Sequence, residues 1–157
     1  MFALLQNHAT GMPALDAEAD FRRARRRHAV ARIGRWVARR PDRRHPRTLA
    51  DPAMHLSGLP RMQVVQLGAI VGTLEPTRHF DARFRPASDV VRRRWERIAL
   101  AHRRGDALPP IELIKRPDGY YVLDGRHRVS VARALGHPDI DARVTGVSPQ
   151  PDRRAPA

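Results

Sequence analysis

The residues best suited to chemistry lie together in the segment Asp124-Gly125-Arg126-His127-Arg128, directly after the β-branched and aromatic run YYVL. Arginine side chains donate forked hydrogen bonds that suit phosphate oxygens, and either nitrogen of a histidine ring can also donate. The residues after Gly125 are predicted to begin a helix, whose first N–H groups are unpaired and carry partial positive charge. Because a strand, a glycine and a helix start together form an anion-binding geometry, we predict a phosphate site at residues 125–128.

A second interpretation of this segment requires no ligand. In it, Asp124 caps the helix and pairs with Arg126 or Arg128, which leaves an ordinary solvated turn. One glycine between basic residues is compatible with both interpretations, so both stay open on these residues alone.

Local signals predict the elements that must position this segment. MQVVQLGAIVGTL is predicted to be a strand interrupted by glycines, and a helix is predicted from Ser88, its N-cap, to Arg104, before Gly105. PPIELIK and YYVLD read as two strands joined by the turn RPDG, and IDARVTGV reads as a last strand. The helix that follows Gly125 is expected to end at Gly136. Strands and helices in this order predict an α+β domain.

The positive charge is concentrated near the N-terminus. The chain has a net charge of +14, and residues 21–47 contain twelve arginines and a single acid, Asp42. This stretch is predicted to form a helix that stops at Pro41, with a narrow apolar stripe formed by Val30, Ile33, Trp36 and Val37. One interpretation is a solvated arm with Trp36 docked on the domain. The other is a phosphate-binding arm whose contacts come from Arg22, Arg23, Arg25, Arg26, Arg27, Arg39, Arg40, Arg43 and Arg44.

We therefore divide the chain into a basic helical extension and linker (1–60, with the linker at 51–60), a folded domain (61–147) and a disordered tail (148–157). The absence of cysteine excludes disulfides, thiolate catalysis and cysteine-bound metals. No apolar run is long enough to span a bilayer, and no secretory apolar segment follows Met1. We expect a cytoplasmic protein of bacterial type, with no membrane partner and no metal site built from paired histidines.

The order of elements from Val64 to Val147 resembles the ParB/sulfiredoxin superfamily. Partition proteins of the ParB type have Gly-Glu-Arg-Arg at the start of the corresponding helix, where this chain has residues 125–128, followed by Ala132, Leu135 and Gly136. Sulfiredoxins have Gly-Cys-His-Arg there, which matches all but Arg126. An upstream Pro-x-Arg segment that reaches a bound nucleotide in the family corresponds to Pro76-Thr77-Arg78, followed by Phe80 and Asp81.

The resemblance implies a small ParB/sulfiredoxin-like mixed sheet with packed helices, preceded here by the basic helical extension. It also implies a nucleoside triphosphate, CTP or ATP, with or without Mg²⁺, that is bound by Gly125, Arg126, His127, Arg128, Arg78 and Thr77. Arg126 replaces the sulfiredoxin cysteine, so this chain is not a sulfinic acid reductase. After its last strand we find neither the helix-turn-helix nor the dimerisation domain of partition proteins, so a full sliding clamp is not expected.

The function predicted from these observations is a ParB-like, DNA-associated or regulatory protein. It would bind nucleotide phosphates, and its arginine arm would bind nucleic acid non-specifically, DNA in preference to RNA. Homodimerisation is a further expectation. One alternative is an enzyme on the same fold, a nucleotide hydrolase (CTPase- or ATPase-like), small-molecule kinase or nuclease, with Asp124 or Glu112 as the leading candidate base and Glu75 and Asp81 as other local carboxylates. A second alternative is a helix-turn-helix in which RVSVARALGHPDI is followed by a recognition helix from Pro138.

Overall fold

The computed structural model of the chain describes residues 9–38, 45–49 and 54–149. Within these residues the chain forms three α-helices and a mixed sheet of six strands. The helices are α1 (Pro13–Val37), α2 (Arg92–Arg104) and α3 (Arg126–Leu135). The strands are β1 (Arg47–Thr48), β2 (Met54–Gln66), β3 (Ile70–Thr73), β4 (Ile111–Arg116), β5 (Gly119–Asp124) and β6 (Asp139–Pro149). The predicted α+β class, with a helix before the domain, is confirmed.

The sheet has the order β1-β3-β5-β4-β6-β2. The pairs β1–β3, β3–β5 and β4–β6 are parallel, whereas β4–β5 and β2–β6 are antiparallel. β4 and β5 form the hairpin expected from RPDG, and α3 begins directly after β5. The predicted phosphate segment therefore lies at the end of a central strand.

Local signals set the limits of the α2 region and the end of α3 where the sequence predicts. The Ser88 side chain accepts a hydrogen bond from the N–H of Val90 (3.2 Å) at a short 3₁₀ turn that leads into α2. Gly105 and Gly136 adopt left-handed conformations (φ 74° and 81°) directly after α2 and α3. Glycine is favoured at both positions because a side chain is strained at such a φ.

Two layers of apolar side chains form the core. The first lies between the sheet and α3 and includes Ile111, Val122 and Val129. The second joins the three helices, and Trp95 of α2 lies at its centre, fully buried. The indole N–H of Trp95 donates to the hydroxyl of Ser130 in α3 (2.9 Å), so the polar atom of this buried ring is satisfied.

The N-terminal half of α1 belongs to this second layer, although arginines surround it in sequence. Ala17, Phe21 and Ala24 are spaced so that they share one face of the helix, and all three are buried. The Phe21 ring meets Trp95 edge-on, with 5.5 Å between the ring centroids. The buried carboxylate of Asp20 accepts a hydrogen bond from Nε of Arg103 in α2 (2.7 Å). The N-terminal half of α1, within the predicted extension, is therefore packed against the domain.

The C-terminal half of α1 is more exposed than the sequence predicts. The interpretation that docks Trp36 on the domain is wrong, because this side chain is 82% exposed. The rest of the predicted apolar stripe, Val30, Ile33 and Val37, is also exposed.

Two further assignments need correction. The linker predicted for residues 51–60 is strand from Met54 onward, which continues across the predicted boundary at residue 60. The recognition helix expected after Pro138 does not form, because Asp139–Pro149 is strand β6, so the helix-turn-helix alternative fails. Strand β6 also includes residues 148 and 149 of the predicted tail, and residues 150–157 lie outside the described part.

In the parts of the chain that the structure describes, no helix is long and apolar enough to cross a bilayer.

Candidate functional site

The predicted phosphate segment has the expected backbone geometry. Gly125 adopts a left-handed conformation (φ 106°) between β5 and α3. A Cβ atom at this position would lie 2.4 Å from Cγ2 of Ile111, so glycine is required both by conformation and by space. The carbonyl of Gly125 accepts the first helical hydrogen bond, from the N–H of Val129 (3.0 Å). The N–H groups of residues 126–128 therefore belong to the first turn of α3, where N–H groups have no partner within a helix.

Arg128, which the sequence predicts to bind phosphate, is held by groups of the protein itself. Its Nη1 donates to the backbone carbonyls of Pro109 and Pro110, the latter at 2.9 Å. Its Nη2 lies 2.7 Å from a carboxylate oxygen of Asp124, and the side chain is only 12% exposed. The guanidinium thus fastens the chain before β4 to the start of α3. This ion pair is the one that the ligand-free interpretation of the segment describes, although Asp124 makes no side-chain cap of α3.

Arg126 and Arg128 extend in different directions. Residues two positions apart do not share a face of a helix. Arg126 approaches Glu75, in the loop after β3, with 3.6 Å between Nη2 and the nearer carboxylate oxygen. Because Arg128 is directed toward the prolines before β4, the two guanidiniums have different neighbours, and Arg126 is the one directed toward the loop that carries Pro76-Thr77-Arg78.

His127 lies between these arginines and is half-buried. Its ring meets that of Phe80 edge-on, with centroids 5.2 Å apart. Burial lowers the pKa of His127 from its ordinary value of 6.5 to about 4, and the charges of Arg94, Arg126 and His79 act in the same direction, whereas Asp124 opposes them. At neutral pH the ring is therefore uncharged and lies in a positive local field.

The loop between β3 and α2 forms the other side of this region. The Thr77 hydroxyl accepts a hydrogen bond from the N–H of His79 (3.2 Å) and so shapes the loop. Arg78 is exposed. The Nδ1 atom of His79 is buried and has no hydrogen-bond partner among the described residues. We define the α3 anion site as the backbone of residues 125–128 with the side chains of Arg78, His79, Arg94, Arg126 and His127.

Sequence reasoning missed two members of the α3 anion site. His79 is a single histidine that follows the Pro76-Thr77-Arg78 segment, and Arg94 is one of three consecutive arginines at the start of α2. No local pattern distinguishes Arg94 from its neighbours. Its position beside His127 results from the packing of α2 against α3, which is a tertiary contact.

The carboxylates proposed as bases fall into two groups. Glu112 and Asp124 are cross-strand partners in the β4–β5 hairpin, next to the α3 anion site. Asp81, by contrast, is buried and structural. Its oxygens accept hydrogen bonds from the N–H groups of Arg83 and Arg85 (2.9 Å each), from Nε of Arg85 (2.7 Å) and from His28 (3.0 Å). Burial opposes its ionisation, but these hydrogen bonds and the charge of Arg85 prevail and lower its pKa.

The arginines predicted to contact nucleic acid are placed differently along α1. Arg22, Arg23 and Arg25 pair with Glu18, Asp20 and Asp89, respectively. Arg26 and Arg27 are exposed, and their guanidiniums make no ion pair with any residue in the described ranges. Arg39, Arg40, Arg43 and Arg44 lie outside those ranges. Among the described residues, no group of three histidine or acidic side chains is arranged to hold a metal ion.

Comparisons with known proteins show a similarity of structure but no match of sequence. No protein-family model matches the sequence, and no curated protein matches it. Among solved structures, the crystal structure of sulfiredoxin from Arabidopsis thaliana is similar to this chain, with a TM-score of 0.40 and 20% sequence identity. The similarity covers 54% of this chain and 84% of the sulfiredoxin chain.

Proposed function

We propose that this chain binds the phosphate groups of a nucleotide at the α3 anion site. The observation that carries the proposal is the arrangement at the start of α3, where Gly125 is left-handed and the side chains of Arg126 and half-buried His127 lie beside the unpaired N–H groups of the first turn. Positive charge gathered around a helix start weakens the ligand-free protein, because the helix end is itself positive. A bound polyphosphate reverses that repulsion and accepts hydrogen bonds from the N–H groups of the first turn.

Each side chain of the site has a distinct part in this proposal. Arg126 supplies the forked donor closest to the N–H groups of α3, once it exchanges Glu75 for phosphate. Arg94 and Arg78 add charge at the rim of the site. Arg128 holds the frame through Pro109 and Pro110 and does not contact the ligand.

Calorimetric titration with CTP, ATP, GTP and UTP, with and without Mg²⁺, tests the proposal. Replacing Arg126 and Arg94 together by alanine should weaken the preferred nucleotide at least tenfold, since a hydrogen bond to a charged group contributes about 1.5–3 kcal/mol. Arg104→Ala is the matched control, because this exposed arginine lies at the far end of α2. Absence of binding by all four nucleotides, or equal affinity in the double variant and the control, would refute the site.

The pKa of His127 provides a second measurement of ligand binding at the α3 anion site. Because the bound phosphates favour the charged imidazolium, the pKa of His127 should rise on saturation with the nucleotide, as followed by NMR of the ring protons. An unchanged His127 pKa with nucleotide bound would place the ligand elsewhere.

A second binding function is favoured by the exposed arginines of α1. Arg26 and Arg27 are exposed and form no ion pair in the described part of the chain, and Arg32 on the next turn is exposed as well. Arginines of this kind contact phosphates without reading sequence, so we propose non-specific binding to nucleic acid, DNA in preference to RNA. Fluorescence anisotropy on duplex DNA should show affinity that falls with salt, and Arg26→Ala/Arg32→Ala should reduce the log–log slope by about 1.8. A slope equal to that of Arg104→Ala would contradict the proposal.

Hydrolysis of the bound nucleotide is the enzymatic alternative, and the pairing of Glu112 with Asp124 beside the α3 anion site favours it. Two neighbouring carboxylates offer a base for the attacking water. Phosphate release should then be lost in Glu112→Gln while nucleotide affinity is kept. If Glu112→Gln and Asp124→Asn both release phosphate at the wild-type rate, neither carboxylate is the base.

A further inference from the structure

A large cavity lies at the opposite end of α3 from the α3 anion site. Its volume is about 920 Å³, and its wall is formed by α1, the loop at residues 82–86, the beginning of β3, the segment that contains β1 and the C-terminal half of α3. This volume is within the range of pockets that hold small molecules. None of the residues that form the α3 anion site lines this cavity.

The wall of the cavity is rich in arginine. It includes six arginines and one carboxylate, that of Asp20. The arginines are Arg23, Arg27, Arg47, Arg83, Arg85 and Arg133. Such an excess of guanidinium groups around one concave surface attracts anions and repels cations.

Four of these arginines are held by the protein itself. Arg23 pairs with Asp20, Arg47 with Asp118 and Arg85 with Asp81. Nη2 of Arg133 donates to the backbone carbonyls of Leu67 (2.6 Å) and Ile70 (2.9 Å). The cavity wall is thus built in part from arginines whose positions are fixed.

Arg27 and Arg83 differ from these four. Both are exposed, and neither guanidinium has an ion pair or side-chain hydrogen bond within the described residues. Arg83 also acts on Arg133. Burial lowers the pKa of Arg133, Asp81 acts against this effect, and the charge of Arg83 lowers the pKa further. An anion bound by Arg83 would offset this repulsion.

The same cavity also has an apolar surface. Val71, Ala134 and Leu135 line it and are half-buried, so part of each side chain is accessible. The fully buried ring of Phe84 also belongs to the wall, and the guanidinium of Arg133 lies 5.0 Å from its centroid. Inorganic phosphate or sulfate would use only the cationic part of this wall.

We propose that this cavity binds a small amphipathic anion, with its phosphate, sulfonate or carboxylate head between Arg27 and Arg83 and its apolar body against Val71, Ala134 and Leu135. The guanidiniums of Arg27 and Arg83 are free to donate to the head, and Arg133, which is held by two backbone carbonyls, adds positive charge at a fixed position. The site is separate from the α3 anion site, so either can exist without the other.

Titration of the full chain with two phosphate monoesters tests this proposal and identifies the type of apolar body. The probes are 1-naphthyl phosphate, with an aromatic body, and octyl phosphate, with an alkyl body. Inorganic phosphate represents the head alone, and 1-naphthol and octanol represent the bodies alone. At least one monoester should bind at a single site and at least tenfold more tightly than inorganic phosphate and the corresponding alcohol.

Substitutions assign the binding to the cavity. Arg27→Ala and Arg83→Ala should each weaken the monoester about tenfold and keep the fold, as checked by circular dichroism. Leu135→Asn should weaken the monoester but not inorganic phosphate. Arg104→Ala and Arg126→Ala should leave its affinity unchanged, which separates this site from the nucleotide site.

Three results would overturn the proposal. The first is failure of both monoesters to saturate, and the second is wild-type affinity in Arg27→Ala/Arg83→Ala. The third is monoester binding that is lost in Arg126→Ala and displaced by CTP or ATP, since that result would place the probe at the α3 anion site. If the nucleotide experiment fails while a monoester binds as described, only the nucleotide proposal is lost.

Discussion

The pH dependence of stability should reveal His127 as a neutral, half-buried ring in a positive field. In the folded protein its pKa is about 4, and in the unfolded chain it returns to the ordinary value of 6.5. As the pH falls below 6.5, the unfolded chain binds a proton at this ring that the folded protein does not bind. The free energy of unfolding therefore falls progressively between pH 6.5 and pH 4 and no longer depends on this ring below pH 4.

The size of the effect follows from the difference between the two pKa values. That difference corresponds to about 3 kcal/mol, and we expect about 2 kcal/mol after allowance for screening by water at a half-buried ring. His137 adds a smaller change of the same sign, because burial and the stacked ring of His102 lower its pKa as well. The prediction therefore concerns the part of the pH dependence that disappears with His127.

Urea unfolding at half-unit steps from pH 4 to pH 7.5 measures this part. His127→Gln removes the titrating group, so the decrease in unfolding free energy between pH 7 and pH 4 should become smaller by about 2 kcal/mol. Ala29→Gln, which introduces the same side chain at an exposed position of α1, is the matched control and should follow the wild-type curve. Parallel curves for His127→Gln and wild type would refute the assignment of a buried, neutral ring, whatever the absolute stability of the variant.

Three further predictions concern the frame of the site and are measured by urea unfolding. Gly125→Ala should lower the free energy of unfolding by at least about 2 kcal/mol, since its Cβ meets Ile111 and its φ is positive; a loss below 1 kcal/mol would contradict this geometry. Asp81→Asn should cost about 3 kcal/mol, because a buried carboxylate with four hydrogen bonds becomes neutral; unchanged stability would show that the carboxylate is dispensable. Phe21→Ala should cost about 3–5 kcal/mol through the cavity left beside Trp95, whereas a detached arm would lose almost nothing.

The elements around the site could be predicted from the sequence because their signals are local. Ser88 and Gly105 mark the limits of a helical region, and Gly136 ends α3. The residues that join the two strands of the β4–β5 hairpin are of types that favour a turn. These signals act within a few residues of the backbone that they shape, so tertiary packing does not override them.

Strand β2 was predicted too short because its first half contains residues typical of a linker. Gly58 has a φ of 78° and lies between Ser57 and Arg61, where the pairing with β6 changes register. Pro60 lies in the same irregular part of the strand. β2 is an edge strand, and a proline and an irregular turn are tolerated at an edge because one side of the strand makes no sheet hydrogen bonds.

The sequence does not show in which direction each arginine side chain extends. These directions decide which arginines lie at the site and which contact the protein's own groups. The motif at residues 125–128 locates a cationic helix start, yet it does not show that Arg128 contacts Pro109 and Pro110. It also does not show that Arg94 approaches His127. The cavity at the other end of α3 is harder still to predict, since its wall combines five separate segments of the chain.

The pairing of β2 with β6 has a consequence for synthesis of the protein. β2 obtains its hydrogen-bonded neighbour from residues that are made more than seventy positions later, whereas the β4–β5 hairpin closes within a few residues. During translation β2 is therefore an unpaired strand until the segment of β6 leaves the ribosome. Contacts between such distant segments slow folding, and unpaired strands are prone to aggregation. We expect nascent chains that stop before residue 139 to depend on chaperones, and chains that reach residue 149 to be released from them.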